Sequence, residues 1–278
     1  MQNFWYNVTR INNKELLYVS VSNVQRLFFK GDIMKKKNFY KELAYFLGLA
    51  SIALGNAFMT KGDFGMSVIA APAYIVYLKL SQSITWISFG LCEIMLQAII
   101  IILLMIVLKR FRIRYLVSFA TAFIYSAFLD IFMLLLSLFN ANDIWIRIMC
   151  YVIGVLLCAN GVALMFHTYI PQEAYDMFVR ELARVKKYNI SVVKTIYDIS
   201  SLIISISLSF ICFGWLNFVG IKIGSVIIAF INGFIIGIYS KLYEKRFNFT
   251  YGWLSLSTRL ENYEKESGSI EETKENNI

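Results

Sequence analysis

This chain contains few histidines and prolines and no closely spaced pair of cysteines. One histidine and two prolines occur among 278 residues, and a single histidine leaves little material for metal binding or histidine-based catalysis. The four cysteines all lie inside apolar runs and form no CxxC pair, so neither a zinc ribbon nor a redox dithiol is indicated. No Walker-type loop, zincin motif or nucleophile elbow is found. We therefore expect no enzymatic activity, no cofactor and no metal centre.

Charged residues are also scarce, at 16% of the chain, whereas apolar residues make up 58% and the mean hydropathy is +0.61. Soluble domains average about 25% charged and about 45–50% apolar residues. The net charge of +9 does not indicate a nucleic-acid partner, because the basic residues lie at the ends of apolar segments. The composition predicts an integral membrane protein whose main partner is the lipid bilayer.

Six apolar segments are long enough to cross a bilayer, which takes about 20 residues of helix. They cover roughly residues 42–60, 84–108, 115–139, 146–167, 195–214 and 221–243. The first 33 residues contain no such run, and Met34 is followed directly by three lysines, as is typical of the start of a membrane protein. We therefore predict a poorly ordered extension over residues 1–38 and a disordered cytoplasmic tail over residues 246–278.

Basic residues are unevenly distributed between the two sides of the predicted bundle. With both termini on one side, the stretches that flank the spans hold sixteen basic residues on that side and four on the other. The four are Lys61, Lys79, Arg147 and Lys222. Short cytoplasmic loops carry such an excess of lysine and arginine. We expect a multi-pass protein of the bacterial plasma membrane with both termini in the cytoplasm.

A shift of 106 positions aligns the first half of the chain with the second. It places Gly48 on Gly154 and Gly55 on Gly161, and it pairs the first predicted helix with the fourth. An odd number of helices per unit turns the second unit upside down. Inverted repeats of this kind recur in secondary transporters.

Each predicted repeat also contains a short segment between its first two spans. In the first repeat, residues 39–140, the apolar stretch Val68–Leu80 is too short to span and contains Pro72. In the second, residues 141–245, apolar residues recur at helical spacing after Pro171. The predicted fold is all-α, with six transmembrane helices as two inverted three-helix repeats, each with a short re-entrant or interfacial helix.

Several polar side chains fall within the predicted spans, where an ionisable group is costly and tends to face a cavity or a partner. The acids are Glu93, Asp130 and Asp198, and the asparagines are Asn56, Asn160 and Asn232. No lysine or arginine falls at the same depth, so we expect the acids to be protonated, solvated or paired with these asparagines. Such acids suit proton coupling or attraction of a cationic solute. Alternatively, they hold the helices together by hydrogen bonds.

Three short motifs are similar to those of a known family. They are Gly48 and Gly55 followed by Asp63–Ser67, the basic stretch Phe111–Arg114, and Leu129–Met133. With these motifs the chain resembles the bacterial YitT/YczE-like membrane proteins over most of residues 40–245. The resemblance implies a duplicated integral membrane protein of the cell envelope, largely without an assigned activity. The second half departs from the first at Pro171–Glu173, which stands where the first half has Gly65–Ser67.

Two functions stay open from the sequence. The first is a secondary transporter or permease for a small solute, with cations and protons as the candidates, because inverted repeats coincide with intramembrane acids. The second is a non-transporting membrane component or regulator, which would need only packing glycines and basic loops. An intramembrane enzyme is the poorest hypothesis, since no nucleophile and base are visible together.

Overall fold

A computed structural model describes residues 36–109, 111–188, 190–214, 219–253 and 258. In that part of the chain, eight helices lie between two short strands. The helices are α1 (Lys41–Gly62), α2 (Ala71–Leu80), α3 (Phe89–Leu108), α4 (Ile113–Ser137), α5 (Ile144–Phe166), α6 (Ala174–Val185), α7 (Ile190–Phe213) and α8 (Ile223–Arg246). The strands are β1 (Lys37–Tyr40) and β2 (Phe247–Thr250).

Within these residues, six helices are long and apolar enough to cross a membrane, namely all except α2 and α6. This confirms the six spans predicted from the sequence. Their outer faces expose large apolar side chains, among them Leu134 at 70% and Phe230 at 83%. So continuous an apolar surface is suited to the hydrocarbon of a bilayer, because in water it would drive association. The chain is therefore a multi-pass membrane protein.

The centre of the bundle is a close antiparallel contact between α1 and α5. Gly48 lies against Gly161, and Gly55 lies against Gly154. A Cβ added at any of the four would meet the backbone oxygen of its partner at 2.5–3.1 Å. The two backbones therefore approach to a distance that only glycine permits, as is common where membrane helices pack without a hydrophobic driving force.

The other helices surround this pair unevenly. Helix α4 packs on α1 and α3, and α8 packs on α5. The short helix α2 lies against α3 and α7, while α6 lies against α3, α4 and α7. Helices α7 and α8, in contrast, do not pack along each other in the part of the chain that the structure describes. Helix α7 is therefore held in the bundle mainly through the two short helices.

Different contacts mark the two ends of the bundle. At one end, here called the proximal end, β1 pairs in parallel with β2, so the chain enters α1 beside the point at which it leaves α8. At the opposite, distal end, Asp63 accepts an ion pair from Arg147 at 2.6 Å and another from Lys222 at 2.7 Å. These pairs join the end of α1 to the starts of α5 and α8. The long helices accordingly alternate in direction along the chain.

Strand β2 carries the ordered chain past the boundary predicted from the sequence. A disordered tail was expected from residue 246, but Phe247–Thr250 pairs with β1. The carboxylate of Glu42 then accepts the backbone N–H groups of Gly252 and Trp253 at 2.8–3.1 Å. These bonds order the segment by supplying acceptors from the other end of the chain. The predicted extension up to residue 35, and the tail beyond Trp253 apart from Thr258, lie outside the described residues.

The short helices α2 and α6 begin at mid-height in the bundle. The carbonyl of Val68, just before α2, accepts a hydrogen bond at 2.8 Å from Ser201 Oγ, and Ser201 lies midway along α7. The N–H of Ala174, which begins α6, donates to Gln97 Oε1 at 3.2 Å near the middle of α3. In both places the segment that leads into a short helix therefore contacts a long helix near the middle of its length, and the two segments are here called mid-height turns.

Candidate functional site

A cavity of about 220 Å³ lies where the two mid-height turns meet the long helices. Every long helix contributes to its wall, through Asn56 of α1, Glu93 of α3, Tyr125 of α4, Cys158 of α5, Asp198 of α7 and Asn232 of α8. Residues 67–70 before α2 and residues 172–173 before α6 complete the wall. The breaks between α1 and α2 and between α5 and α6 therefore leave space at the centre of the bundle.

Glu93 is the most deeply buried acid of this cavity, with 1% of its surface exposed. Tyr175 Oη donates a hydrogen bond to Glu93 Oε1. The other oxygen, Oε2, has no hydrogen-bond partner among the described residues. A buried carboxylate oxygen without a donor is costly, and a proton or a bound cation would supply what is missing.

Four further side chains of the wall carry buried polar atoms that lack a partner within the described ranges. They are Gln172 (both amide atoms), Glu173 (Oε1), Asp198 (Oδ1) and Asn232 (Oδ1). Native proteins pair the great majority of such atoms with protein or with water. Their concentration around one cavity indicates a space that holds water or a polar ligand.

The charges of the wall are unbalanced. Its described residues include four acids, Glu93, Glu173, Asp176 and Asp198, and one base, Lys194. Lys194 Nζ approaches Asp176 Oδ1 at 3.5 Å and so compensates one of the acids. Lys194 precedes Asp198 on α7, although the sequence predicts no lysine or arginine at the depth of the acids. The surplus of carboxylates favours a cation over an anion in this cavity.

Glu173 lies in the turn before α6, outside the long helices, and is partly buried. Burial, with repulsion from the carboxylates of Glu93 and Asp176, raises the pKa of Glu173 well above its ordinary value. The side chain therefore keeps its proton at pH values at which an exposed glutamate has lost it. This places a titratable proton at the centre of the cavity.

Four of the six candidate residues from the sequence meet at this cavity, namely Asn56, Glu93, Asp198 and Asn232. Pairing of the acids with these asparagines was one of the three arrangements expected from the sequence, beside protonation and solvation. Asn56 Nδ2 instead donates to Tyr125 Oη at 2.6 Å, and the partner of Glu93 is Tyr175. Tyrosine hydroxyls take this role because α4 and α6 bring them to the centre of the bundle.

Asp130 lies apart from the cavity and bonds α4 to the start of α3. Its Oδ2 accepts a hydrogen bond from Ser88 Oγ at 2.6 Å, and its Oδ1 accepts the N–H of Gly90 at 2.7 Å. A carboxylate at a helix N-terminus satisfies free N–H groups and complements the helix dipole. Asp130 thus has the helix-linking arrangement that the sequence left open as the alternative.

Asn160 lies in a second cavity of about 430 Å³ that α1, α4, α5 and α8 surround. Its Nδ2 donates to Ser51 Oγ at 3.1 Å, and its Oδ1 accepts from Tyr243 Oη. The described wall of this cavity contains no charged side chain. Although larger, it lacks the unpaired polar atoms that distinguish the central cavity.

Gln172, Glu173, Tyr175 and Lys194 were not among the candidates from the sequence. They belong to a connecting segment and to the start of α7, where charged residues read as parts of a solvated loop. One signal was present, since Pro171–Glu173 is the turn at which the two halves differ most. That difference puts a glutamate into the cavity where the first half has Ser67.

The fold and the cavity define a multi-pass membrane protein with a polar centre. A family model matches residues 39–241, more than half of the chain, and the chain belongs to this family, a family of unknown function (DUF6198). No curated protein and no solved structure matches the chain significantly.

Proposed function

We propose that this chain is a secondary transporter that exchanges a small cation for protons, with its site around Glu93. The observation that carries the proposal is the central cavity, in which unpaired carboxyl oxygens face a space between two mid-height turns. Transporters bind their substrates near the bilayer midplane, where discontinuous helices meet. The resemblance to YitT/YczE-like proteins belongs to this proposal and adds an expected plasma-membrane location.

A correspondence between the helix contacts of the two halves supports the proposal. At an offset of 106 residues, Gly48 corresponds to Gly154 and Gly55 to Gly161. The contact of Gly48 with Gly161 is therefore equivalent to the contact of Gly154 with Gly55. The same offset relates the packing of α2 on α7 to that of α6 on α3. Because α1 and α5 are antiparallel, we infer two inverted repeats, each with three long helices and one short re-entrant helix.

The distribution of charge suggests which form of the transporter this is. The excess of basic residues assigns the proximal end to the cytoplasm. On that side the cavity reaches Lys194 and Asp176, whose side chains are 46% and 28% exposed. On the other side, Asp63 holds the starts of α5 and α8 through its two ion pairs. We infer a form that is open inward and closed outward, from which exchange of the two halves would open the outer side.

Cation and proton would compete for the same carboxyl groups. Glu93, Glu173 and Asp176 line one small space, and burial together with repulsion from the other two carboxylates disfavours the ionisation of Glu173. A bound cation would supply positive charge and release a proton from one of them. The two ligands would then occupy the site in turn, as exchange requires.

Uptake by the purified full-length protein in liposomes tests the proposed function. We expect an acidic lumen to drive accumulation of at least one cation from a panel of sodium, potassium, guanidinium and tetramethylammonium. A protonophore should abolish the accumulation, and protein-free liposomes provide the baseline. If folded, reconstituted protein takes up none of these cations, the proposal fails and a non-transporting membrane component becomes the better reading.

Glu173→Gln is expected to stabilise the protein increasingly as the pH rises. Because the folded-state pKa of Glu173 is raised, the native protein holds this proton more tightly than the unfolded chain. Stability from this group is therefore highest below the unfolded pKa of about 4.3 and falls as the pH rises through the folded-state pKa. At pH values above the folded-state pKa, each unit by which that pKa is raised lowers the free energy of unfolding by about 1.4 kcal/mol.

The melting temperature in detergent at pH 4.5 and at pH 8 measures this effect. The glutamine variant should melt close to wild type at the lower pH and several degrees above it at the higher pH, at about 2–4 °C per kcal/mol. Glu244→Gln, an exposed glutamate on α8, serves as the matched control. An equal pH dependence in Glu173→Gln and wild type would contradict the assignment.

A further inference from the structure

Helices α7 and α8 both line the central cavity, yet among the described residues they do not pack along each other. On the opposite side, α3 and α4 pack so closely that a Cβ added to Gly90 would meet Ser126 O at 2.5 Å. The 106-residue correspondence relates α7 and α8 to α3 and α4, yet α7 and α8 lack this packing in the described part of the chain. Both helices still line the cavity, through Lys194 and Asp198 of α7 and Ile228, Ala229, Asn232, Gly233 and Ile236 of α8. The cavity therefore reaches the gap between them.

Gly233 lies at the edge of this gap. It lines the cavity, yet a Cβ added to it meets no described atom within 4 Å. The two helices also carry exposed apolar side chains, including Ile199 of α7 at 52% and Phe230 and Phe234 of α8 at 83% and 73%. In a bilayer such a surface faces the hydrocarbon tails.

We propose that the gap between α7 and α8 is a lateral portal, through which an amphiphilic cation enters the central cavity from the bilayer. The cationic head would lie at the carboxylates around Glu93, and the apolar tail would extend between α7 and α8. This inference rests on the proposed function and specifies the substrate class of the same site.

Charge complementarity argues for the cationic head. Four acids and one lysine line the cavity, and one of the acids, the fully buried Glu93, has a carboxyl oxygen without a hydrogen bond among the described residues. The rings of Tyr125, Phe166 and Tyr175 also line it, and aromatic faces attract quaternary ammonium groups. A quaternary ammonium therefore fits better than a strongly hydrated metal cation.

The composition of the wall argues for the apolar tail. Beside Asn232 and Gly233, the wall on the side of α8 consists of Ile228, Ala229 and Ile236, whose side chains offer no polar partner. A hydrophilic ion gains nothing from such a surface, whereas each buried methylene of a tail strengthens binding by about threefold to fourfold. The same tail would concentrate the solute in the bilayer, where the portal opens.

A series of trimethylammonium compounds tests the portal in proteoliposomes. Tetramethylammonium and its butyl and hexyl analogues share one permanent charge and differ only in the tail. We expect the half-inhibiting concentration against labelled tetramethylammonium uptake to fall by about threefold for each added methylene in the wild type. Gly233→Leu should lose at least about tenfold of the advantage of the hexyl compound over tetramethylammonium, each measured against the variant's own tetramethylammonium uptake, because leucine fills the portal.

Gly237→Leu is the matched control. Gly237 lies one turn further along α8, also has open space for a side chain, and does not line the cavity. It should keep the wild-type dependence on chain length. Tetramethylammonium uptake without any chain-length effect, or equal effects of the two leucine variants, would overturn the portal and leave the proposed function standing. Absence of uptake of every probe would overturn the proposed function and the portal together.

Discussion

Glu93→Gln is expected to reduce cation uptake at least tenfold without lowering the melting temperature. Glutamine has the shape of glutamate and its Oε1 can still accept the hydrogen bond of Tyr175, so the packing around position 93 is kept. The negative charge is lost, and a hydrogen bond to a charged group contributes about 1.5–3 kcal/mol, which corresponds to about tenfold to hundredfold in affinity. Initial uptake rates at cation concentrations below saturation measure the effect.

Asp130→Asn makes the same chemical change on a neighbouring helix and is the matched control. Asp130 bonds Ser88 and Gly90 at the start of α3, and it does not line the central cavity. Loss of its charge should lower the stability by about 1 kcal/mol, or about 2–4 °C in melting temperature, and leave uptake within about twofold of wild type. Glu93→Gln should therefore reduce uptake and leave the melting temperature unchanged, whereas Asp130→Asn should lower the melting temperature and leave uptake nearly unchanged. Unchanged uptake in Glu93→Gln, or an equal loss in both variants, would contradict the assigned site.

Gly161→Leu is expected to prevent assembly of the bundle. A Cβ at position 161 would already meet the backbone oxygen of Gly48 at 2.5 Å and the backbone nitrogen of Ile52 at 2.8 Å. Backbone atoms cannot rotate away as a side chain can, so α1 and α5 would have to separate. Even one extra methyl group in a packed contact costs about 1–3 kcal/mol, and leucine adds three more carbon atoms.

The fraction of monodisperse protein in detergent and its melting temperature measure this loss. Gly237→Leu, which meets no described atom within 4 Å, provides the control for adding a leucine to a glycine in a long helix. It should purify and melt like the wild type. Similar recovery of the two variants would show that the contact of α1 with α5 does not hold the bundle together.

The six spans could be predicted because the signal is local. An apolar run of about 20 residues has one favourable arrangement in a bilayer, since a helix satisfies all of its backbone hydrogen bonds within itself. No knowledge of distant contacts is needed for that step. The start of the tail, in contrast, depends on distant contacts. The segment after residue 246 is ordered by β1 and by Glu42, which lie about 200 positions earlier in the chain.

The candidate site was predicted in part. Glu93 and Asp198 stood out because a carboxyl group in an apolar span is costly to bury. Glu173 and Tyr175 carry no such signal, because their depth depends on the turn between α5 and α6. Long-range hydrogen bonds hold that turn in place, among them those of Ala174 with Gln97, Tyr175 with Glu93 and Ser118 with Gln172.

Glu93 and Asp130 illustrate what the sequence determined and what the tertiary structure decided. The sequence by itself determined that both carboxyl groups lie within membrane-crossing helices, because hydropathy is a property of neighbouring residues. It could not distinguish their environments, since the partners of Asp130 lie about 40 positions away and those of Glu93 about 80. Only the packing of the helices decided that Asp130 bonds the start of α3 while Glu93 faces the cavity with one oxygen unpaired.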